Sequence, residues 1–113
     1  MSKAIFFDFH GFKKQPPYGE YDVILGTANR RTVKSEVDLV LAEKLKSFGY
    51  KVFCPQEKRM VGNQLDCYDA GFTTRNVFLR TGVDSVQIEI HASIRVSKKK
   101  SYKFAEDFSK IIS

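Results

Sequence analysis

The chain has two histidines, and each follows a carboxylate by two residues within a segment that resembles a β-strand. The segments are 4–10 (AIFFDFH) and 85–91 (SVQIEIH). Because successive side chains of a strand point to opposite faces, Asp8 shares a face with His10, and Glu89 shares a face with His91. Imidazole and carboxylate groups are the ordinary ligands of catalytic zinc, and a carboxylate beside that metal commonly activates its water. These four side chains are therefore candidates for a hydrolytic Zn²⁺ site.

Whether these four side chains lie close together depends on how the two strands are arranged in the sheet. Ligands in open α/β sheets usually bind beyond the carboxyl ends of the strands, and both histidines lie at such ends if the strands run parallel. The first strand is hydrophobic enough to be central, and a carboxylate such as Asp8 in a central strand needs a partner or a function. The alternation of 85–91 has a second interpretation, because an antiparallel edge strand with one face in water shows the same pattern.

The clearest supersecondary signal lies between these two segments. A strand over 22–25 ends at Gly26, a helix over 35–48 begins at Ser35 as N-cap, and a strand over 50–54 ends at Pro55. This order predicts a βαβ unit, and therefore an α/β fold with a parallel sheet and helical cover.

The remaining segments are two loops and two helices. Helices are expected over 73–81, stopped by Gly82, and over 101–112 at the end of the chain. The segments 11–21 and 56–72 are expected to be loops, and a loop as long as the second is often a lid or a partner surface.

Composition limits the class of protein. A chain of 113 residues with 42% hydrophobic residues fits one α/β domain over 1–113 and excludes bulk disorder. It contains no apolar run of transmembrane length and no convincing secretory signal, so we expect no membrane partner and a cytoplasmic location. Cys54 and Cys67 lack the spacing of a zinc knuckle or a disulfide framework, and Cys54 is expected to be a buried thiol.

The net charge of +6 favours anionic partners. Part of it comes from Lys98, Lys99, Lys100 and Lys103, which we expect to form a solvated turn before the last helix. An alternative is a phosphate-binding patch with Arg95 and Tyr102, as in a small basic module for nucleic acid or a protein partner. Nucleic acid is the less favoured partner, because the chain contains no recognised nucleic-acid motif.

The segments FFDFHGF, YDVILGT, GYKVFCP and SVQIEIHASIR occur in the order and spacing of the latter half of the N-formylglutamate amidohydrolase family, which this chain resembles over residues 4–96. That family is similar to the zinc carboxypeptidase-type hydrolases. The resemblance implies a mixed, largely parallel sheet with flanking helices and a metal at the strand ends.

The resemblance also implies roles for individual residues. His10 corresponds to a zinc ligand, Glu89 to the general base, and Asp8 to a residue that orients His10. Gly26 and Thr27 match a turn that helps to wall the site. Arg95 falls where the family often has Arg or Tyr, and His91 has no family role.

The chain also departs from the family pattern. The family's N-terminal half supplies the first histidine motif, an acidic ligand and an Asn-Arg pair, and this chain starts after them. CPQEKRMVGN replaces an NxPYxGG-like segment, and Gly11 replaces a serine. Three interpretations follow: the C-terminal part of a larger or split hydrolase whose other half completes the site, a minimal protein that builds its own site, or a fold retained without the chemistry.

The leading functional expectation is a zinc-dependent hydrolase of amide bonds in N-acyl amino acids or small peptides, as a homo-oligomer or with a second polypeptide. An acidic substrate would need a guanidinium clamp. The candidates for substrate binding are Arg30, Arg31, Arg59, Arg75 and Arg95. A third expectation is a non-catalytic subunit that pairs through its long loop.

Overall fold

The computed structural model describes residues 4–13, 20–54 and 70–113. In chain order the elements are β1 (Ile5–Phe12), β2 (Val23–Gly26), α1 (Val37–Ser47), β3 (Val52–Phe53), α2 (Phe72–Thr81), β4 (Asp84–His91), α3 (Ala92–Arg95) and α4 (Lys98–Ile112). Among the described helices, none is long and apolar enough to span a membrane.

The described strands form one mixed, largely parallel sheet in the order β1-β4-β2-β3. β1 pairs parallel to β4, β2 pairs parallel to β3, and β4 pairs antiparallel to β2. The predicted fold class and the predicted βαβ unit are therefore confirmed. Two details differ: β4 is flanked on both sides and is not an edge strand, whereas β1 lies at one end of the order and is not central.

One face of the sheet is covered by α1 and α4. Alternate apolar residues of β2 and β4 pack there against the inward faces of both helices, which gives the main core. At the β1 end of this face, the ring of Phe108 lies edge-on to Phe7 and Phe9, with centroid distances of 5.2 and 5.3 Å. Cys54 is buried at the other end of the sheet, as predicted, whereas Cys67 lies outside the described residues.

Several element boundaries differ from the sequence predictions, among them β3, which covers Val52–Phe53 where a strand over 50–54 was expected. β1 continues through Gly11 to Phe12, where a loop was expected. α1 has Glu36 at its N-cap position, while Ser35 Oγ accepts a hydrogen bond from the Val37 N–H at 3.2 Å. α4 begins at Lys98, because Ser97 Oγ accepts the Lys100 N–H at 3.2 Å. Lys98, Lys99 and Lys100 therefore form the exposed first turn of a helix, not a turn before it.

The carboxylate of Asp84 ties the start of α1 to the start of β4. It accepts hydrogen bonds from the Lys34 N–H at 2.7 Å, from the Ser35 N–H at 3.2 Å, and from the Ser35 hydroxyl. Burial alone would raise the pKa of this carboxyl, but the hydrogen bonds from Ser35 and Lys34 outweigh burial and lower it.

We expect Asp84→Asn to lower the free energy of unfolding by about 1–2 kcal/mol at pH 7, because all three hydrogen bonds lose their charged acceptor and one acceptor oxygen becomes an amide donor. The folded-state pKa lies below the unfolded value of about 3.9, so this stability is present above that value and is lost as the pH falls through the folded pKa. Urea unfolding at pH 7 and pH 3 measures the effect. The difference in free energy of unfolding between wild type and variant should be smaller at pH 3 than at pH 7. An unchanged difference, or an equal loss of stability in the exposed control Glu106→Gln, would contradict this role.

Candidate functional site

The parallel pairing of β1 with β4 aligns the polar residues that the sequence singled out. Asp8 is opposite Gln87, His10 is opposite Glu89, and Phe12 is opposite His91. Opposed residues of paired strands share a face, so the predicted polar faces of the two strands form one surface. α2 packs on this surface, on the side of the sheet opposite α1 and α4.

The side chains of Asp8 and His10 contact each other at the open side of this surface. Asp8 Oδ2 lies 3.0 Å from His10 Nε2 and accepts a hydrogen bond from Thr74 Oγ1 of α2 at 3.2 Å. The His10 side chain is 46% exposed. Thr74 thus orients the Asp8 carboxylate, which in turn orients the His10 ring. Since Nε2 of His10 faces Asp8, Nδ1 is the ring nitrogen that remains for another ligand. This geometry suits the orienting role expected for Asp8.

Glu89 lies at the centre of the polar surface and is 5% exposed. Its Oε2 accepts a hydrogen bond from Gln87 Nε2 at 3.2 Å, whereas Oε1 is buried without a hydrogen-bond partner among the described residues. Burial raises the pKa of the Glu89 carboxyl, although nearby His10 and the hydrogen bond from Gln87 oppose the shift. A buried carboxylate with one committed oxygen and one uncommitted oxygen is arranged to accept a proton.

Gln87 connects Glu89 to the start of α2. Its Oε1 accepts the Gly71 N–H at 2.8 Å, which directs its amide nitrogen towards Glu89. Sequence reasoning gave no role to Gln87 or Thr74. The alternating pattern places Gln87 on the polar face, but nothing in the sequence indicates that α2 folds back over β1 to bring Thr74 to Asp8.

His91 caps α3. Its Nδ1 accepts the Ser93 N–H at 3.0 Å and lies 2.8 Å from Ser93 Oγ, while its ring lies edge-on to Phe12. An Nδ1 that accepts a backbone N–H is unprotonated, so the neutral ring carries its proton on Nε2, which is buried without a partner among the described residues. The structure gives His91 a capping role; zinc ligation by His91 remains a prediction.

The donor types on this surface suit zinc, but the described residues of one chain offer too few of them. Within residues 4–13, 20–54 and 70–113, no group of three or more His, Cys, Asp and Glu side chains could hold a metal ion. Catalytic zinc takes three protein ligands. Asp8 and His10 therefore form part of a zinc site at most.

The predicted anion-binding arginines are dispersed. Arg30 donates to Asp38 Oδ1 at 3.2 Å and to the carbonyl of Ser35, so its guanidinium is committed to a buried carboxylate at the start of α1. Arg30 follows Ala28 and Asn29 in a turn in which all three residues have positive φ. Arg31 and Arg75 are exposed, and Arg59 lies outside the described residues.

The position of the Arg95 side chain accounts for the glycine at position 11, directly after His10. Its Nε donates to the carbonyl of Ile90 at 3.0 Å, and its Nη2 donates to the carbonyl of Phe12 at 3.2 Å. The guanidinium lies against the Gly11 backbone, where a Cβ atom would be 2.3 Å from Nε and Cζ. Arg95 thus joins the ends of β1 and β4, and this contact requires glycine at position 11. Gly26 of the predicted wall lies opposite Gln87, and Thr27 is buried beside it.

We expect Gly11→Ala to lower the free energy of unfolding by about 1 kcal/mol, because the new methyl group displaces Arg95 from two hydrogen bonds to carbonyl groups. The same substitution in an Arg95→Ala background should cost clearly less, since the displaced group is gone. Urea unfolding of the four proteins of this double-mutant cycle measures the coupling. Additive effects of the two substitutions would show that the guanidinium does not occupy the Gly11 contact.

A comparison with solved structures finds a similar fold. One similar structure is the crystal structure of N-formylglutamate amidohydrolase from Ralstonia eutropha JMP134, with a TM-score of 0.62 and 16% sequence identity. The match covers 96% of this chain but 42% of that chain, so this chain spans less than half of the other protein. No sequence model of a protein family and no curated protein matches the chain. The likeness is one of fold.

Proposed function

We propose that this chain supplies one part of the active site of a metal-dependent hydrolase that cleaves amide bonds in small N-acyl amino acids or peptides. The observation that carries this proposal is Glu89. A buried carboxylate in a flanked strand, with one oxygen held by Gln87 and the other without a partner among the described residues, is costly unless it has a function.

The neighbours of Glu89 support a role in proton transfer. Gln87 fixes the orientation of the carboxylate, and the opposed His10 side chain, held by Asp8, forms the exposed wall of the same surface. In the proposed reaction Glu89 Oε1 takes a proton from the attacking water and returns it to the amine that leaves. The metal ligands beyond Asp8 and His10 come from outside the described residues of a single chain.

The proposed substrate class rests on two further observations. The structure with the similar fold is described as N-formylglutamate amidohydrolase, and a net charge of +6 attracts acidic molecules. Arg75 is the strongest remaining candidate for a carboxylate clamp, because it is exposed on α2, the helix that covers the polar surface.

The direct test is release of glutamate from N-formylglutamate by the full chain supplied with Zn²⁺, with His10→Ala as the paired variant. We expect release by the wild type and its loss in the variant. Absence of release across protein concentrations that include any self-associated form would overturn the proposal, and so would equal release by both proteins.

A second candidate is a basic binding module, favoured by the first turn of α4. Lys98, Lys99 and Lys100 are exposed there, no acidic residue lies in that turn, and like charge at the positive end of a helix is unfavourable. Binding of a fluorescent single-stranded oligonucleotide that falls steeply between 50 and 200 mM salt, about as expected for several phosphate contacts, would favour it. Replacement of the three lysines by glutamine should then abolish binding.

A further inference from the structure

The outer edge of β1, which is the edge that does not face β4, borders the candidate site. Within the described part of the chain β1 ends the strand order, so its pairing there is with β4 alone. A strand edge presents N–H and C=O groups that can pair with a further strand. The two faces of β1 differ sharply: Asp8 and the exposed His10 lie on one, and Phe7 and the half-exposed Phe9 lie on the other.

We propose that two copies of this chain pair through the outer edges of β1 as antiparallel strands, and that each copy completes the Asp8–His10 cluster of the other. The pairing is argued from the outer edge of β1, from the complementary hydrogen-bonding groups of Asp8 and His10, and from the exposed side chain of Phe9. Only the chemistry assigned to the completed cluster rests on the proposed function.

Symmetry limits the register of this pairing. A two-fold axis perpendicular to the sheet keeps each side chain on the same face of the sheet in both copies. One residue of β1 must therefore lie on the axis, opposite the same residue of the other copy. The two such registers that use nearly the whole strand place either Asp8 or Phe9 on the axis. With Asp8 on the axis two carboxylates would oppose each other, which is destabilising.

The register with Phe9 on the axis is complementary on both faces. It sets Asp8 of each copy opposite His10 of the other, where an imidazole N–H can donate a hydrogen bond to the carboxylate. On the other face it sets Phe9 against Phe9, which removes from water a side chain that is 50% exposed in the single chain. Hydrogen bonding and apolar burial therefore select the same register.

This register also adds a second pair of candidate ligands to the pair that the described residues of one chain offer. Opposed Cβ atoms in antiparallel strands lie about 5 Å apart, and residues two apart along a strand lie about 7 Å apart. Two aspartates and two histidines would thus occupy the corners of a small rectangle on the polar surface. Three of these carboxylate and imidazole groups would supply the number of protein ligands that catalytic zinc takes and would leave its fourth position for water.

Sedimentation equilibrium tests the pairing. One strand edge buries less area than a standard interface, so the dimer should be weak without metal, and protein concentrations up to ~500 µM are needed. We expect a dimer whose population rises with concentration and rises further with one Zn²⁺ per two chains. Phe9→Lys should be monomeric, because it sets two ammonium groups against each other, whereas Val96→Lys, which changes an exposed apolar residue elsewhere, should behave as wild type. A wild-type monomer at every concentration, with and without Zn²⁺, overturns the proposal.

Oxidative cross-linking tests the register and does not depend on how well Phe9→Lys folds. Cysteine at the residue on the axis faces its own copy, so Phe9→Cys should form a covalent dimer about ten times faster than Leu79→Cys on the exposed side of α2. Equal rates would contradict the register.

The two proposals can fail separately. A dimer in the stated register that releases no glutamate from N-formylglutamate upholds the pairing and refutes the hydrolase. A monomer that releases glutamate from N-formylglutamate upholds the hydrolase and refutes the pairing.

Discussion

Replacement of Glu89 by glutamine is expected to lower kcat/KM for N-acyl amino acid hydrolysis by about 10²–10⁴-fold, the usual contribution of a general base. Glutamine has the same shape, and its amide oxygen can still accept the hydrogen bond from Gln87. It cannot take a proton from water. The loss should therefore appear in the chemical step and not in the fold or in zinc binding.

The measurement is the rate of amine release from N-formylglutamate, with circular dichroism and zinc content recorded for the same samples. Glu106→Gln is the matched control, because it makes the same change at an exposed position of α4. Full activity of Glu89→Gln, or an equal loss in Glu106→Gln, would show that Glu89 is not the base.

Replacement of Phe108 by alanine is expected to lower the free energy of unfolding by about 3–4 kcal/mol, as is usual for truncation of a buried aromatic side chain. Phe108 is buried on α4, where its ring meets Phe7 and Phe9 of β1 and stacks on Phe104 at 5.9 Å. Phe108 contacts β1 from the apolar side of the sheet, so its removal should loosen the strand that carries Asp8 and His10.

Urea unfolding gives the size of this effect. Tyr102→Ala is the control on the same helix, since its side chain is 66% exposed and should cost less than about 0.5 kcal/mol. A loss below 1 kcal/mol for Phe108→Ala would mean that β1 does not depend on α4.

Local sequence signals were sufficient for most of the elements. The alternation over 85–91 predicted β4 to within one residue, and Gly82 correctly ended α2. The start of α4 was missed because three lysines in a first turn oppose the helix dipole, so the pattern favoured a later start.

The environment of the polar residues could not be predicted from local signals. The same alternation arises whether the polar face of β4 is exposed to water or covered by α2. The sequence therefore did not decide whether β4 is an edge strand or is flanked on both sides. The contact between Thr74 and Asp8 joins residues 66 positions apart, and Arg30 turns inward to Asp38 because of an unusual left-handed turn. Such contacts depend on tertiary packing, which periodicity does not encode.

The zinc content of the purified chain shows whether Asp8 and His10 form a metal site shared by two copies. Untagged protein is loaded with Zn²⁺, dialysed and measured by elemental mass spectrometry beside His10→Ala. We expect one zinc per two chains in the wild type and none in the variant. One zinc per chain, or zinc retained equally by His10→Ala, would contradict a site shared through His10.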